Sequence, residues 1–184
     1  MSQHLTQNIR IRKATIADTA LIVKLGKQTQ LETFLKDNKP EVIEAYIDET
    51  FNFEIIEKEL ADENSTYYIT EKEDIAHGVL RTIGYVKIRR DNFEENKLAG
   101  ENSIELQRIY IIKSEKGNGY GKIQLEFCEN IAKSEGYNMI WLGVWEKNHF
   151  AMEFYKRNGY EMFSSHAFMF GGEVQNDFMM RKSL

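Results

Sequence analysis

Lys116-Gly117-Asn118-Gly119-Tyr120-Gly121-Lys122 separates two unlike stretches: the apolar run Ile104-Glu105-Leu106-Gln107-Arg108-Ile109-Tyr110-Ile111-Ile112, and Ile123-Gln124-Leu125-Glu126-Phe127-Cys128-Glu129-Asn130-Ile131-Ala132. The first has the β-branched and aromatic content of a strand, the second the spacing of an amphipathic helix. A strand, a glycine-rich turn and a helix start gather backbone N–H groups that lack intrahelical acceptors, beside the positive end of a helix dipole. Such a concavity suits a pyrophosphate. A P-loop is excluded, because the position six before Lys122 is Lys116 rather than Gly and the one after is Ile123 rather than Ser or Thr. The dinucleotide fingerprint fails too, since its third glycine would fall at Lys122. Taken alone, the glycines read equally well as a plain turn.

A second stretch, Trp145-Glu146-Lys147-Asn148-His149-Phe150-Ala151-Met152-Glu153-Phe154-Tyr155-Lys156-Arg157-Asn158-Gly159-Tyr160, follows the strand-like Met139-Ile140-Trp141-Leu142-Gly143-Val144-Trp145. Asn148 is placed to cap a helix, Ala151, Phe154 and Tyr155 share one face, and Gly159 supplies the stop. The two motifs occur in order, each in a strand–turn–helix context. Lys116-x-x-Gly119-x-Gly121 resembles the acyl-CoA loop of the GCN5-related N-acetyltransferases (GNAT), and Asn148-x-x-Ala151-x-x-Phe154-Tyr155-x-Arg157-x-Gly159-Tyr160 resembles the second signature of that superfamily.

The composition suits a single domain over residues 1–184, with 42% hydrophobic and 29% charged residues. No run approaches the roughly 18 apolar residues of a membrane span, and Met1 to Gln7 lacks the apolar stretch of a signal peptide, so a cytoplasmic protein is expected. Cys128 falls on the apolar side of its helix and reads as a buried structural thiol. The four histidines are scattered without metal-ligand spacing, so no metal is expected. A net charge of −5 disfavours nucleic acid and suits a cationic ligand.

Along the chain, Ile9 to Lys13 alternates as a first strand, and Thr15 or Asp18 caps a helix through about Thr33. Pro40 opens a second helix carrying Val42, Ile43, Tyr46, Ile47, Phe51 and Ile55 at helical spacing. Ser65–Thr70 and Ile83–Arg90 read as a hairpin interrupted by the polar Glu71-Lys72-Glu73-Asp74, and Asp91 to Ser103 as a solvated loop. A terminal hairpin runs from Tyr160 to Phe170, turns at Gly171-Gly172 and returns over Phe178 to Arg181. The order β-α-α-β-β-β-α-β-α-β-β matches the GNAT fold, an α/β arrangement with a mixed sheet flanked by helices.

Within the superfamily the chain is most similar to the PaiA-type spermidine/spermine N-acetyltransferases, at Pro40 to Tyr46, Arg108-Ile109-Tyr110, Ile140 to Asn148, His166-Ala167-Phe168 and Gln175 to Met180. It departs from that group at Gln107, where an acidic residue is common, and at Asn176, where Thr is usual. The resemblance implies acetyl-CoA as co-substrate, with direct transfer to an amine of a polyamine in a ternary complex. It implies coenzyme contacts from Ile109, Tyr110 and Ile111, whose strand carries a bulge in the family. Further contacts are implied from the loop Lys116, Gly117, Asn118, Gly119, Tyr120, Gly121 and Lys122, and from Asn148, Ala151, Phe154, Tyr155 and Arg157.

Tyr155 matches the family's general acid, which protonates the departing thiolate. Glu105 falls where the histone-acetylating branch carries its general base. A solvent-facing carboxylate reads equally well for Glu105, because strands alternate faces. Glu32, Glu44, Asp48, Glu161, Glu173 and Asp177 lie in segments that border the acceptor groove of such a fold. The expected partner is therefore a small polyamine or other amine, without nucleic acid or membrane, and a homodimer is compatible with it. The alternatives are acetylation of a peptide N-terminus, a lysine or an aminoglycoside, or coenzyme binding without turnover.

Overall fold

The computed structural model describes residues 8–74, 77–91 and 102–184. The strands are β1 Ile9–Lys13, β2 Ser65–Asp74, β3 Val79–Arg89, β4 Ser103–Ile111, β5 Met139–Trp145, β6 Glu161–Phe170 and β7 Glu173–Ser183. The helices are α1 Thr19–Phe34, α2 Pro40–Thr50, α3 Phe53–Ala61, α4 Tyr120–Ser134 and α5 His149–Arg157. The strands form one sheet in the order β1-β2-β3-β4-β5-β7-β6. Its neighbours are antiparallel except β4 and β5, which run parallel as a strand–helix–strand crossover requires. No helix among the described residues is long and apolar enough to cross a membrane.

Each face of the sheet buries its own core. On one face Ile83, Val86, Ile88, Ile104 and Leu106 pack with Leu125, Phe127 and Cys128 of α4 and Tyr155 of α5. The opposite face packs Tyr67, Ile69 and Tyr85 against Ile22, Leu25, Ile43, Ile47, Phe51 and Ile56 of the first three helices. The burial of Cys128 agrees with its reading as a structural thiol.

Three features differ from the sequence expectation. The helix opened by Pro40 ends at Thr50, and Asn52 starts another by accepting a hydrogen bond from the Ile55 amide at 2.9 Å, which is N-cap chemistry. The polar stretch Glu71 to Asp74 does not interrupt the hairpin, because β2 stays paired with β3 as far as Asp74 opposite Val79. Ion pairs make this tolerable: Arg12 holds Glu71 at 3.0 Å and Glu115 holds Lys72 at 2.9 Å. The returning arm of the terminal hairpin starts at Glu173, five positions before Phe178. The loop expected between Asp91 and Ser103 falls at positions 92–101 outside the described residues, as does the N-terminal stretch 1–7.

Two irregularities in β4 shape the molecule's cleft. Arg108 pairs with Lys87 and Leu106 with Ile88, so Gln107 is an extra residue in the ladder. A bulge of this kind shifts the alternation by one position. Glu105 therefore shares a face with Arg108 and Tyr110, while Leu106 shares the other with Ile109. β4 also lies beside β5 only from Ser103 to Glu105, opposite Met139 to Trp141. Beyond that point β4 follows β3 and β5 follows β7, and a wedge opens between them.

Candidate active site

The wedge is the mouth of a cleft of about 700 Å³. One wall is β4 from Glu105 to Ile111, whose edge toward β5 has no strand partner among the described residues past Glu105. Backbone amides on such an edge must find another acceptor. The glycine loop closes the adjoining end. Gly119 has φ of +83° and occupies the N-cap of α4, a left-handed conformation that favours glycine. Its carbonyl accepts from Lys122 at 3.0 Å and Ile123 at 3.3 Å. Among the described residues, the amides of Gly117 to Gly121 have no backbone acceptor. Positive φ at both Gly117 and Gly119 turns this short run back on itself at the helix start.

Coenzyme A fits that geometry. Unbonded loop amides at a helix N-terminus match a pyrophosphate. The open β4 edge offers amide-sized partners to the pantetheine arm, so the residues fit. α4 is set at the correct distance by Gln124, whose side-chain amide donates to the Tyr110 carbonyl oxygen at 3.2 Å and to Thr70 Oγ1 at 2.8 Å.

The cleft wall includes Ile109, Tyr110, Ile111, Lys116, Gly117, Gly119, Tyr120, Gly121, Lys122, Asn148, Ala151, Phe154 and Tyr155. Asn118 and Arg157 stand outside it. Asn118 Nδ2 donates to the Glu115 carbonyl at 3.1 Å, and Arg157 Nε to the Glu153 carbonyl at 3.1 Å. Asn148 Oδ1 caps α5 by accepting from the Ala151 amide at 3.1 Å. Burial lowers the pKa of Lys116. The bulge lies at Gln107, two residues before the expected Ile109 to Ile111.

Tyr155 is buried and packs between Phe154 and Tyr160, with ring centroids 5.4 and 5.8 Å away. Burial, reinforced by Tyr110 and Cys128, raises its phenol above the usual range. It remains protonated at neutral pH and is equipped to donate. Glu105 also faces the cleft, but its Oε2 accepts from Arg89 Nε at 2.7 Å.

The far end of the cleft is aromatic. Phe34, Tyr46, Trp145, Phe168 and Phe170 all line it. Tyr46 stacks on Phe170 at 4.3 Å, and Phe34 meets Trp145 edge-on at 5.7 Å. Of the carboxylates assigned to this groove, Glu32 and Asp177 reach it. Asp48 pairs with Lys27, Glu161 with Arg181 and Glu173 with Lys39, all away from the wall, as is Glu44. Gln124 and Arg89 are site residues that the sequence reading missed. Only a tertiary partner distinguishes them from other polar residues on a helix and a strand.

Similarity to known proteins bears on this site. An N-acetyltransferase of the pepI 3′ region of Lactobacillus delbrueckii subsp. lactis is 31% identical over 96% of this chain and 98% of its own length. The spermidine N(1)-acetyltransferase of Thermoplasma acidophilum is 25% identical over 84% of this chain and 89% of its own. The crystal structure of a PaiA N-acetyltransferase from Thermoplasma acidophilum in complex with coenzyme A shares the fold, with a TM-score of 0.75 and 23% identity, covering 96% of this chain and 99% of that one. The family model described as Acetyltransferase (GNAT) family matches residues 29–160. The chain belongs to that family and is an acetyl-CoA-dependent N-acetyltransferase.

Proposed function

We propose that the acceptor is a primary amine of a polyamine of the spermidine or spermine kind, acetylated by direct attack in a ternary complex. The observation that carries this reading is the aromatic far end of the cleft, which opens toward the coenzyme end and holds Asp177, with Glu32 elsewhere on the wall beside Lys113. A polyamine alternates ammonium groups with methylene runs, so aromatic rings suit its stem and carboxylates its charges. The Thermoplasma relative named as a spermidine N(1)-acetyltransferase supports the same class.

Acetyl-CoA supplies the thioester that the amine attacks. In this reading the loop amides from Gly117 to Gly121 hold its pyrophosphate. Lys122, exposed and only 3.7 Å from Glu126, swings to a phosphate, and the β4 edge grips the pantetheine. Tyr155 gives its proton to the thiolate. Glu105 is held by Arg89 at 2.7 Å and is not free to take the amine proton while that contact lasts. We place the reaction in the cytoplasm, in keeping with the free, buried Cys128.

The test is thiol release from acetyl-CoA across a panel of polyamines, a lysine peptide, an N-terminal peptide and an aminoglycoside. Preference for spermidine or spermine supports the reading, and preference for a peptide or aminoglycoside replaces it.

A further inference from the structure

Among the described residues, four carboxylates line the cleft: Glu32, Glu105, Glu115 and Asp177. Three have partners. Glu32 accepts from the Lys113 amide at 2.7 Å and Gln28 at 2.8 Å, Glu105 is held by Arg89, and Glu115 by Lys72. Asp177 differs, because its Oδ1 is buried and has no hydrogen-bond partner among the described residues. A carboxylate in this condition is costly to keep ionised and gains from an incoming cation.

Its position suits a reacting amine. Asp177 pairs with Trp145 at the end of β5 and with His166 on β6. Its carboxylate lies over Gly143, where a Cβ would come within 3.1 Å of Oδ2. The groups around it are Glu146 beyond β5, His166 on β6 and Tyr110 on β4, with Lys147 on the Trp145 ring at 5.5 Å. Tyr110 is near enough to Asp177 to be affected by its charge, and near enough to Tyr155 to affect that phenol in turn. Asp177, Tyr110 and Tyr155 all line the same cleft. Burial, reinforced by Glu146, pushes the Asp177 carboxyl up to about 7, a better match to an amine proton than an ordinary carboxylate.

We propose that Asp177 receives the ammonium of the acceptor and takes its proton, and that the acceptor is a primary alkylamine whose methylene stem lies against Trp145, Phe168 and Phe170. This rests on the amine-acetylation reading above. The neutral nitrogen forms the C–N bond as the thioester C–S bond breaks. Of the three ammonium protons, one stays on the amide nitrogen. One passes to Asp177 and then to solvent, and one offsets the proton that Tyr155 gives to the thiol. Glu105 remains with Arg89 as part of the wall.

The experiment compares the wild type with Asp177→Asn, Gly143→Ala and Glu105→Gln. It measures spermidine affinity by calorimetry without coenzyme, acetyl-CoA affinity, and kcat/KM for spermidine against pH, with circular dichroism as a fold check. Asp177→Asn is expected to weaken spermidine at least tenfold and to lower kcat/KM on the order of a hundredfold. It should also lose the limb that rises near pH 7, with acetyl-CoA affinity unchanged. Gly143→Ala, which crowds the carboxylate, should raise KM for the amine several-fold. Glu105→Gln should retain the limb. If Asp177→Asn keeps both the limb and the affinity while Glu105→Gln loses them, the assignment to Asp177 is overturned and polyamine acetylation stands. A wild type that acetylates no polyamine overturns both.

Discussion

The side-chain amide of Gln124, wholly buried in α4, donates to the Tyr110 carbonyl oxygen on β4, and this contact sets the spacing between the glycine loop and the open strand edge. Gln124→Ala removes it together with the bond to Thr70, leaving two buried acceptors unsatisfied and a small cavity. A stability loss of about 2–4 kcal/mol is expected. The KM for acetyl-CoA should rise in the folded variant. Denaturant titration and initial-rate kinetics measure the two effects, and an unchanged KM would separate loop spacing from coenzyme binding.

Gly119 combines a left-handed backbone with a place in the loop proposed to hold the pyrophosphate. Gly119→Ala should cost about 1 kcal/mol of stability from the positive φ. Gly119→Asp adds a negative charge where the pyrophosphate is read to sit, and should weaken acetyl-CoA by an order of magnitude or more. Calorimetry on the folded variant decides. Undiminished affinity moves the cradle elsewhere.

Tyr155→Phe removes one hydroxyl from a phenol that burial keeps protonated. Turnover should fall roughly 10²- to 10⁴-fold with acetyl-CoA affinity nearly unchanged, because the proton is needed only as the thiolate departs. Wild-type single-turnover rates would assign the tyrosine to packing.

Asp177 also leaves a signature in stability. Its folded pKa of about 7 lies above the ordinary 3.8, so the folded state binds the proton more tightly than the unfolded chain. Stability therefore declines as pH rises from about 4 to 7, and the full penalty remains above 7. Asp177→Asn carries no charge to bury. It should melt higher than the wild type at pH 8, by up to about 4 kcal/mol, with the difference shrinking toward pH 4. Equal melting temperatures across that range would mean the carboxyl is not perturbed.

A cationic acceptor held by carboxylates should respond to salt. The KM for spermidine is expected to rise severalfold between roughly 0.05 and 0.5 M sodium chloride, while that of a monoamine changes less. Initial rates at fixed acetyl-CoA measure it, and a flat response with spermidine would argue for a neutral acceptor.

Much of the coenzyme side was legible in the sequence because it depends on local chemistry. Gly119 declares a backbone conformation, and Asn148 a helix start, each within a few residues of the rest of its own motif. The acceptor side depends on tertiary contacts. Glu105 was ambiguous between faces because nothing in Leu106-Gln107-Arg108 signals the extra residue that brings it alongside Arg108 and Tyr110. Its engagement by Arg89, sixteen positions earlier, is set by the register of β3 on β4. The break between α2 and α3 was hidden because Phe51 and Ile55 continue the apolar spacing across Asn52. Asp177 looked like any of six acidic residues until its neighbours were in place.

The turn between β6 and β7 has a bearing on how this enzyme can be altered. A Cβ on Gly171 would fall 1.8 Å from the Val42 carbonyl oxygen of α2, so the hairpin tip rests directly on that helix's backbone. Phe168, Phe170 and Asp177 are carried on the same hairpin, and Tyr46 on the same helix. The two segments therefore form one exchangeable unit: a chimera that takes the hairpin from a relative with another acceptor must take Pro40 to Thr50 with it, or graft a foreign loop onto a seat shaped for Gly171.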